Sequence, residues 1–89
     1  MEPAEIRLRR LSMRSRRRGI KEMDLILGAF AGAGLARLAP EELDVYERLL
    51  EESDHDLYRW VSGAEAPPAD YAGLIARVAA GAEGVSRPR

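Results

Sequence analysis

Apolar residues recur along this chain at helical spacing, and proline and glycine cut the pattern into five short segments. No stretch of strict period-two alternation competes with them. The first segment, about residues 4 to 17, starts near Pro3 and carries Ile6, Leu8, Leu11 and Met13, which do not line up as one clean stripe. A thinly packed, arginine-rich helix is expected there. The second, from about Ile20 to Ala31, places Ile20, Met23, Ile26, Leu27 and Phe30 within roughly 120° of arc, a core-facing stripe. With Gly19 as its N-cap, Glu22 becomes the third helical residue, where its carboxylate reaches back to a free N–H and meets the positive end of the helix dipole. Gly32 and Gly34 end the pattern.

Pro40 suits the first position of a third helix, with Leu38 placed to pack on Leu43 as a hydrophobic staple. Leu43, Tyr46, Leu49 and Leu50 form its inward stripe, and Glu47 to Glu52 face outward or close it. Asp54 is expected to cap a short fourth helix to Val61, closed by Gly63. After the stiff Ala66-Pro67-Pro68 connector, Tyr71, Leu74, Ile75 and Val78 stand at i, i+3, i+4 and i+7 in a fifth helix over about 70 to 80. The expected fold class is all-α, a small five-helix bundle over residues 1–80 with a flexible tail at 81–89. Its core should centre on Ile26, Phe30, Tyr46, Leu50, Leu57, Trp60, Leu74 and Val78.

The 89 residues allow one domain and a radius of gyration of about 12 Å, too little for a deep active-site cavity. The net charge of −1 hides an asymmetry. Residues 7 to 21 hold eight of the 14 basic groups, and residues 41 to 56 hold eight of the 15 acids. A dipolar surface suited to an oriented encounter with a charged partner follows from that layout. Without cysteine, a thiolate zinc site, a disulfide frame and thiol catalysis are excluded. The one histidine, His55, cannot build a multi-histidine metal site. The longest uncharged run, Leu25 to Ala36, is twelve residues, and a membrane span needs about 20. The start of the chain is arginine-rich like a transit peptide, but Glu2 and Glu5 are wrong for one.

The paired acids Glu41-Glu42, Glu51-Glu52 and Asp54/Asp56 read as a solvated helix face and caps. Gly28-x-x-x-Gly32 is either a close helix–helix contact or a loosening helix end. Seven arginines within residues 7 to 18 can neutralise phosphates, yet no aromatic residue is interleaved among them to stack on bases. In Arg18-Gly19-Ile20-Lys21-Glu22, the plain reading is an Arg18/Glu22 ion pair beside a glycine cap. The sharper one is a docking patch. Glu22 lies away from the core stripe with Leu25 and Ala29 on its side, and Gly19 would let another backbone approach.

Arg18-Gly19-x-x-Glu22-Met23-Asp24 resembles the RGxxE motif of the flavin assembly factors of succinate dehydrogenase. Asp24-Leu25-Ile26-Leu27-Gly28-x-Phe30-Ala31 follows as in alphaproteobacterial versions of that family. Tyr46-x-x-Leu49-Leu50 and Asp56-Leu57-x-x-Trp60 are similar to its later elements, so the resemblance covers roughly residues 7 to 80. It implies a five-helix chaperone, not an enzyme. Such a chaperone binds the flavoprotein subunit of succinate dehydrogenase, or of fumarate reductase, and promotes covalent attachment of FAD to it. The implied partner-binding residues are Arg18, Gly19, Glu22, Asp24 and Leu25, with no metal and no stably bound cofactor. His55 stands where many members have proline. A bacterial, cytoplasmic protein is expected, without nucleic-acid binding or membrane insertion. The alternatives are a carrier that itself holds FAD and a small basic-arm nucleic-acid or regulatory binding protein.

Overall fold

The computed structural model of the chain describes residues 1–82. Five helices follow one another: α1 (Ala4–Ser15), α2 (Lys21–Gly34), α3 (Pro40–Leu49), α4 (Asp54–Ser62) and α5 (Ala69–Ala82), with a single 3₁₀ turn at Leu35–Arg37. The described residues contain no strand, and their Cα radius of gyration is 12.3 Å. The fold is all-α, as the periodicity requires. Helix α2 is central: α1, α4 and α5 all pack against it.

All eight residues expected at the centre of the core are buried. Tyr46 is fully buried, with its ring 5.6 Å from that of Phe30, and Trp60 lies 5.9 Å from Tyr71. The Leu38/Leu43 staple forms, with both side chains buried. Beside it the Glu42 carboxylate accepts the Ala39 N–H at 2.9 Å, which satisfies one of the orphan donors at the start of α3. Gly63 ends α4 at φ +85°, a left-handed conformation that glycine adopts at no steric cost.

Several boundaries differ from expectation. Helix α1 stops at Ser15, and α5 runs on to Ala82, whose side chain joins the core. The expected flexible tail therefore loses its first two residues, 81 and 82, to α5; the rest of it lies outside the described residues. Helix α4 is capped by Ser53, whose Oγ accepts the Asp56 N–H at 3.2 Å, rather than by Asp54. Helix α2 is preceded by Ile20 as its N-cap, without any side-chain cap, so Glu22 is the second helical residue instead of the third. Ile20 offers no polar side-chain atom, and the order at this helix start comes from elsewhere in the fold.

Helix α1 packs more tightly than its scattered apolar residues suggest. Leu11 and Ser15 are completely buried. Ser15 Oγ donates to the Leu11 carbonyl at 2.7 Å, so the 2.6 Å contact with Tyr46 has the tyrosine O–H as donor and Ser15 Oγ as acceptor. Burial pushes the Tyr46 hydroxyl above its usual pKa, which keeps it in the protonated, donating form.

The outer edges of α1 and α3 are joined by charge. Arg7 meets Asp44 at 2.6 Å and Glu47 at 3.2 Å, Arg10 meets Glu47 at 2.7 Å and Glu2 at 2.9 Å, and Arg14 pairs with Glu51. The expected dipolar surface is thus largely cancelled inside the molecule, and Glu47 faces α1 instead of solvent. The i, i+3, i+7 spacing of 7, 10 and 14 matches that of 44, 47 and 51, so the two rows mesh. The Gly28-x-x-x-Gly32 spacing serves an arginine. A Cβ on Gly28 would stand 3.2 Å from Arg16 Cγ, and Arg16 Nη2 donates to the Gly28 carbonyl at 3.3 Å.

Two outcomes follow from this packing. Ser15→Ala removes the acceptor of a buried tyrosine hydroxyl and should lower stability by about 1–3 kcal/mol in urea unfolding. The second concerns acid. Hydrogen bonds from Arg10 hold the carboxyls of Glu2 and Glu47 below the ordinary value of 4.5. Their contribution is therefore complete above about pH 4.5 and lost as pH falls through the lower folded values. Amide NMR signals of α1 and α3 should shift together in that acid window, before the core residues respond.

Candidate functional site

The connection between α1 and α2, residues 16 to 20, is where the motif begins. Three guanidinium nitrogens of Arg18 are all engaged within the chain. Nε donates to Asp54 Oδ1 at 2.6 Å, Nη1 to the Leu50 carbonyl at 2.8 Å and Nη2 to the Glu52 carbonyl at 3.0 Å. The Arg18 side chain is 10% exposed and that of Asp54 is 14% exposed. An Arg18/Glu22 ion pair does not form among the described residues; Asp54, from a distant part of the chain, takes its place.

The local reason lies in two helix ends. Leu50 and Glu52 carry carbonyls left without helical partners where α3 ends, and the negative end of its dipole favours a cation there. Asp54 stands in the first turn of α4, at the positive end of that dipole. Arg18 thus bridges a helix C-terminus and a helix N-terminus. Capping by Ser53 leaves the Asp54 carboxylate available for it.

The backbone of the turn is held as well. The Arg18 N–H donates to Asp24 Oδ1 and the Gly19 N–H to Asp54 Oδ2. A Cβ placed on Gly19 would lie 2.9 Å from Asp54 Oδ2, a distance real Cβ contacts do not reach. Within this chain, then, the group that comes close to Gly19 is the Asp54 carboxylate.

The five sequence-derived site residues divide into two sets. Arg18, Gly19 and Asp24 make the turn, with their polar atoms bonded inward. Glu22 and Leu25 point outward; Leu25 is 46% exposed, and Glu22 has no hydrogen bond or ion pair among the described residues. Ala29 continues the same row along α2 until Arg16, which reaches over Gly28 to Gly32, so a short strip with one carboxylate and one leucine lies open. Asp54 was missed as part of this group because its pattern, Ser-Asp before an apolar run, reads locally as a helix cap.

The remaining charges and grooves narrow the chemistry. Of the eight basic residues from 7 to 21, Arg7, Arg10, Arg14 and Arg18 are ion-paired and Arg16 lies along α2. Arg9, Arg16, Arg17 and Lys21 are exposed and have no ion-pair partner among the described residues, although Arg16 donates to the Ser12 hydroxyl and the Gly28 carbonyl. That is a weak footing for phosphate binding, in which affinity grows with the number of phosphates neutralised. A groove of about 490 Å³ between α1 and α3 is lined by Arg7, Arg14, Asp44, Glu47, Arg48 and Glu51, and the ion pairs cross it. The described residues hold no cluster of three or more histidine, cysteine, aspartate or glutamate side chains able to bind a metal. No described helix is long and apolar enough to cross a membrane.

Residues 9–81, which contain this braced turn and the helices around it, match the family model described as the flavinator of succinate dehydrogenase. The chain belongs to the succinate dehydrogenase flavinator family. Relatives named succinate dehydrogenase assembly factor 2, mitochondrial, agree. The one from Lodderomyces elongisporus is 44% identical over 61 residues, covering 68% of this chain and 37% of the relative. That from Scheffersomyces stipitis is 48% identical over 61 residues, 68% of this chain and 41% of the relative. A Drosophila willistoni relative, assembly factor 2-A, mitochondrial, is 39% identical over 72 residues, 79% and 46%. The chain spans less than half the length of these curated relatives.

The same relatives overturn the expected bacterial cytoplasm, because they are named mitochondrial and come from yeasts and a fly. That expectation rested on the acids near the start and on the alphaproteobacterial form of the motif. Glu2 is an ion-pair partner of Arg10 within the fold, and its presence carries no information about targeting.

The division of the site has a measurable consequence. Arg18→Ala leaves Asp54 and two carbonyls without their partner and should destabilise the fold by about 3 kcal/mol or more. Glu22→Ala, on the outward row, should stay within about 0.5 kcal/mol of the parent. Paired urea titrations of the two variants check both.

Proposed function

We propose that this chain is a docking chaperone. It binds the flavoprotein subunit of succinate dehydrogenase before the complex assembles and promotes covalent attachment of FAD to that subunit. It does so without being a catalyst and without holding the cofactor stably. The family description supports the process, and the names of the relatives support the enzyme served and a mitochondrial setting. The observation that carries the mechanism is the outward row of α2, Glu22 and Leu25, mounted directly on the braced Arg18-Gly19 turn.

That row can dock. Leu25 offers apolar area, Glu22 an acceptor for oriented hydrogen bonds, and Ala29 adds little bulk further along the helix. The turn is already fixed, so little ordering is lost on binding. The interior is filled by Tyr46, Leu49, Leu57 and the other buried side chains, so a flavin would have to sit on the partner. Covalent flavinylation needs a base, a placed histidine on the acceptor and a polarised flavin. In this reading the partner supplies those groups, and the chaperone holds it in the pose where they meet.

The test uses purified apo-flavoprotein, FAD and either the parent chain or the folded variants Glu22→Ala and Leu25→Ser. Covalent flavin, counted by in-gel fluorescence, should fall at least about tenfold for Glu22→Ala, a loss of oriented binding of about 1.4 kcal/mol. Unchanged flavinylation by both folded variants sinks the docking row. Titration of free FAD into the chain alone should give no tight binding; tight binding would favour an FAD carrier instead.

A further inference from the structure

We infer that Asp54, which lies outside the Arg-Gly-x-x-Glu motif, is a working member of the docking site: a positioning residue that sets where Glu22 stands. The inference rests on the docking reading above and assigns a role to a residue 32 positions further along the chain than Glu22.

The beginning of α2 is weak. Its N-cap is Ile20, which has no side-chain cap, so local sequence does not fix the first turn that carries Glu22. An uncapped first turn frays, and a carboxylate on it would sample many positions. Two carboxylates prevent this from outside the cap. Asp24, one turn into α2, takes the Arg18 N–H. Asp54, on α4, takes the Gly19 N–H with Oδ2 and the Arg18 guanidinium with Oδ1. One carboxylate therefore grips two consecutive residues of the motif and ties them to the end of α3 through Arg18.

Asp54 itself has little to offer a partner. Its side chain is 14% exposed, and both oxygens are engaged. The Gly19 requirement follows from the same geometry, since a Cβ there would collide with Oδ2. Glu22 is the outward group two residues beyond Ile20, and its place relative to the core is set through this grip.

The deciding experiment is a double-mutant cycle on affinity for the apo-flavoprotein subunit, using the full chain. The assay temperature is held below every variant's melting transition. Asp54→Asn should weaken binding about tenfold when Glu22 is present. In the Glu22→Gln background the same change should weaken it less than about twofold, because there is no carboxylate left to position. Asp54→Glu keeps the charge but is one methylene longer and misplaces the grip on Gly19. It should behave like Asp54→Asn and serves if the asparagine variant does not fold. In the free protein, exchange of the Gly19 amide should speed up in either variant. Equal fold-losses in both Glu22 backgrounds, or no loss in either, would overturn the inference while leaving the docking function standing. A parent chain that does not bind the flavoprotein at all would overturn the docking function, and this inference with it.

Discussion

The contact between Arg18 and the junction of α3 and α4 holds three remote parts of the chain in one place. Its guanidinium meets a side chain and two carbonyls 32 to 36 residues away in sequence, while its own backbone opens the turn into α2. Taking an arginine and an aspartate largely out of water is costly, and the pair is useful only if every donor and acceptor is matched. Here the match is made with help from two helix dipoles of opposite sense, the negative end of α3 beside the cation and the positive end of α4 beside the anion. The result is a turn whose position relative to the core has little freedom, although its helix start carries no side-chain cap.

The rest of the charge distribution follows the same logic. An arginine-rich first helix and an acid-rich third helix look, in composition, like the two ends of a molecular dipole. In the fold they lie side by side, and Arg7, Arg10 and Arg14 meet Asp44, Glu47 and Glu51. Each such surface pair contributes little alone, but the row selects one register of α1 on α3. Buried Ser15 and Tyr46 fix the same register from the inside. With most of the arginines occupied, an outward carboxylate and leucine on α2 become the conspicuous unpartnered pair on that helix.

The helices and the core were legible because their signals are local. Spacing such as Tyr71, Leu74, Ile75 and Val78, a proline at the start of α3 and a glycine at the end of α4 act over one or two turns. The tertiary contacts were not legible for the opposite reason. Arg18 has Glu22 four residues away, the expected helical partner, but the chain does not become helical until Lys21, so that spacing never applies. Asp54 resembles an N-cap, yet Ser53 beside it caps equally well and frees it. Leu11 and Ser15 were hidden because the apolar residues of α1 do not line up as one stripe and because serine is polar. The family could be read from sequence; which of the candidate site residues face inward could not.

That inward and outward division bears on the docking function proposed above. Its core is filled, so any influence must pass through the surface it presents. A flexible carboxylate would lose much of its binding free energy to ordering. A carboxylate placed on a braced turn would avoid that loss in the proposed docking. The residues that appear in the motif then have two duties. In the docking function proposed above, Arg18 and Gly19, with Asp54, would make the direction of docking, and Glu22 and Leu25 would deliver it. Substitutions in the first group act through geometry and stability together, whereas those in the second act on recognition with the fold intact. A motif defined by recurrence alone merges these duties, and only the three-dimensional partners of each residue separate them.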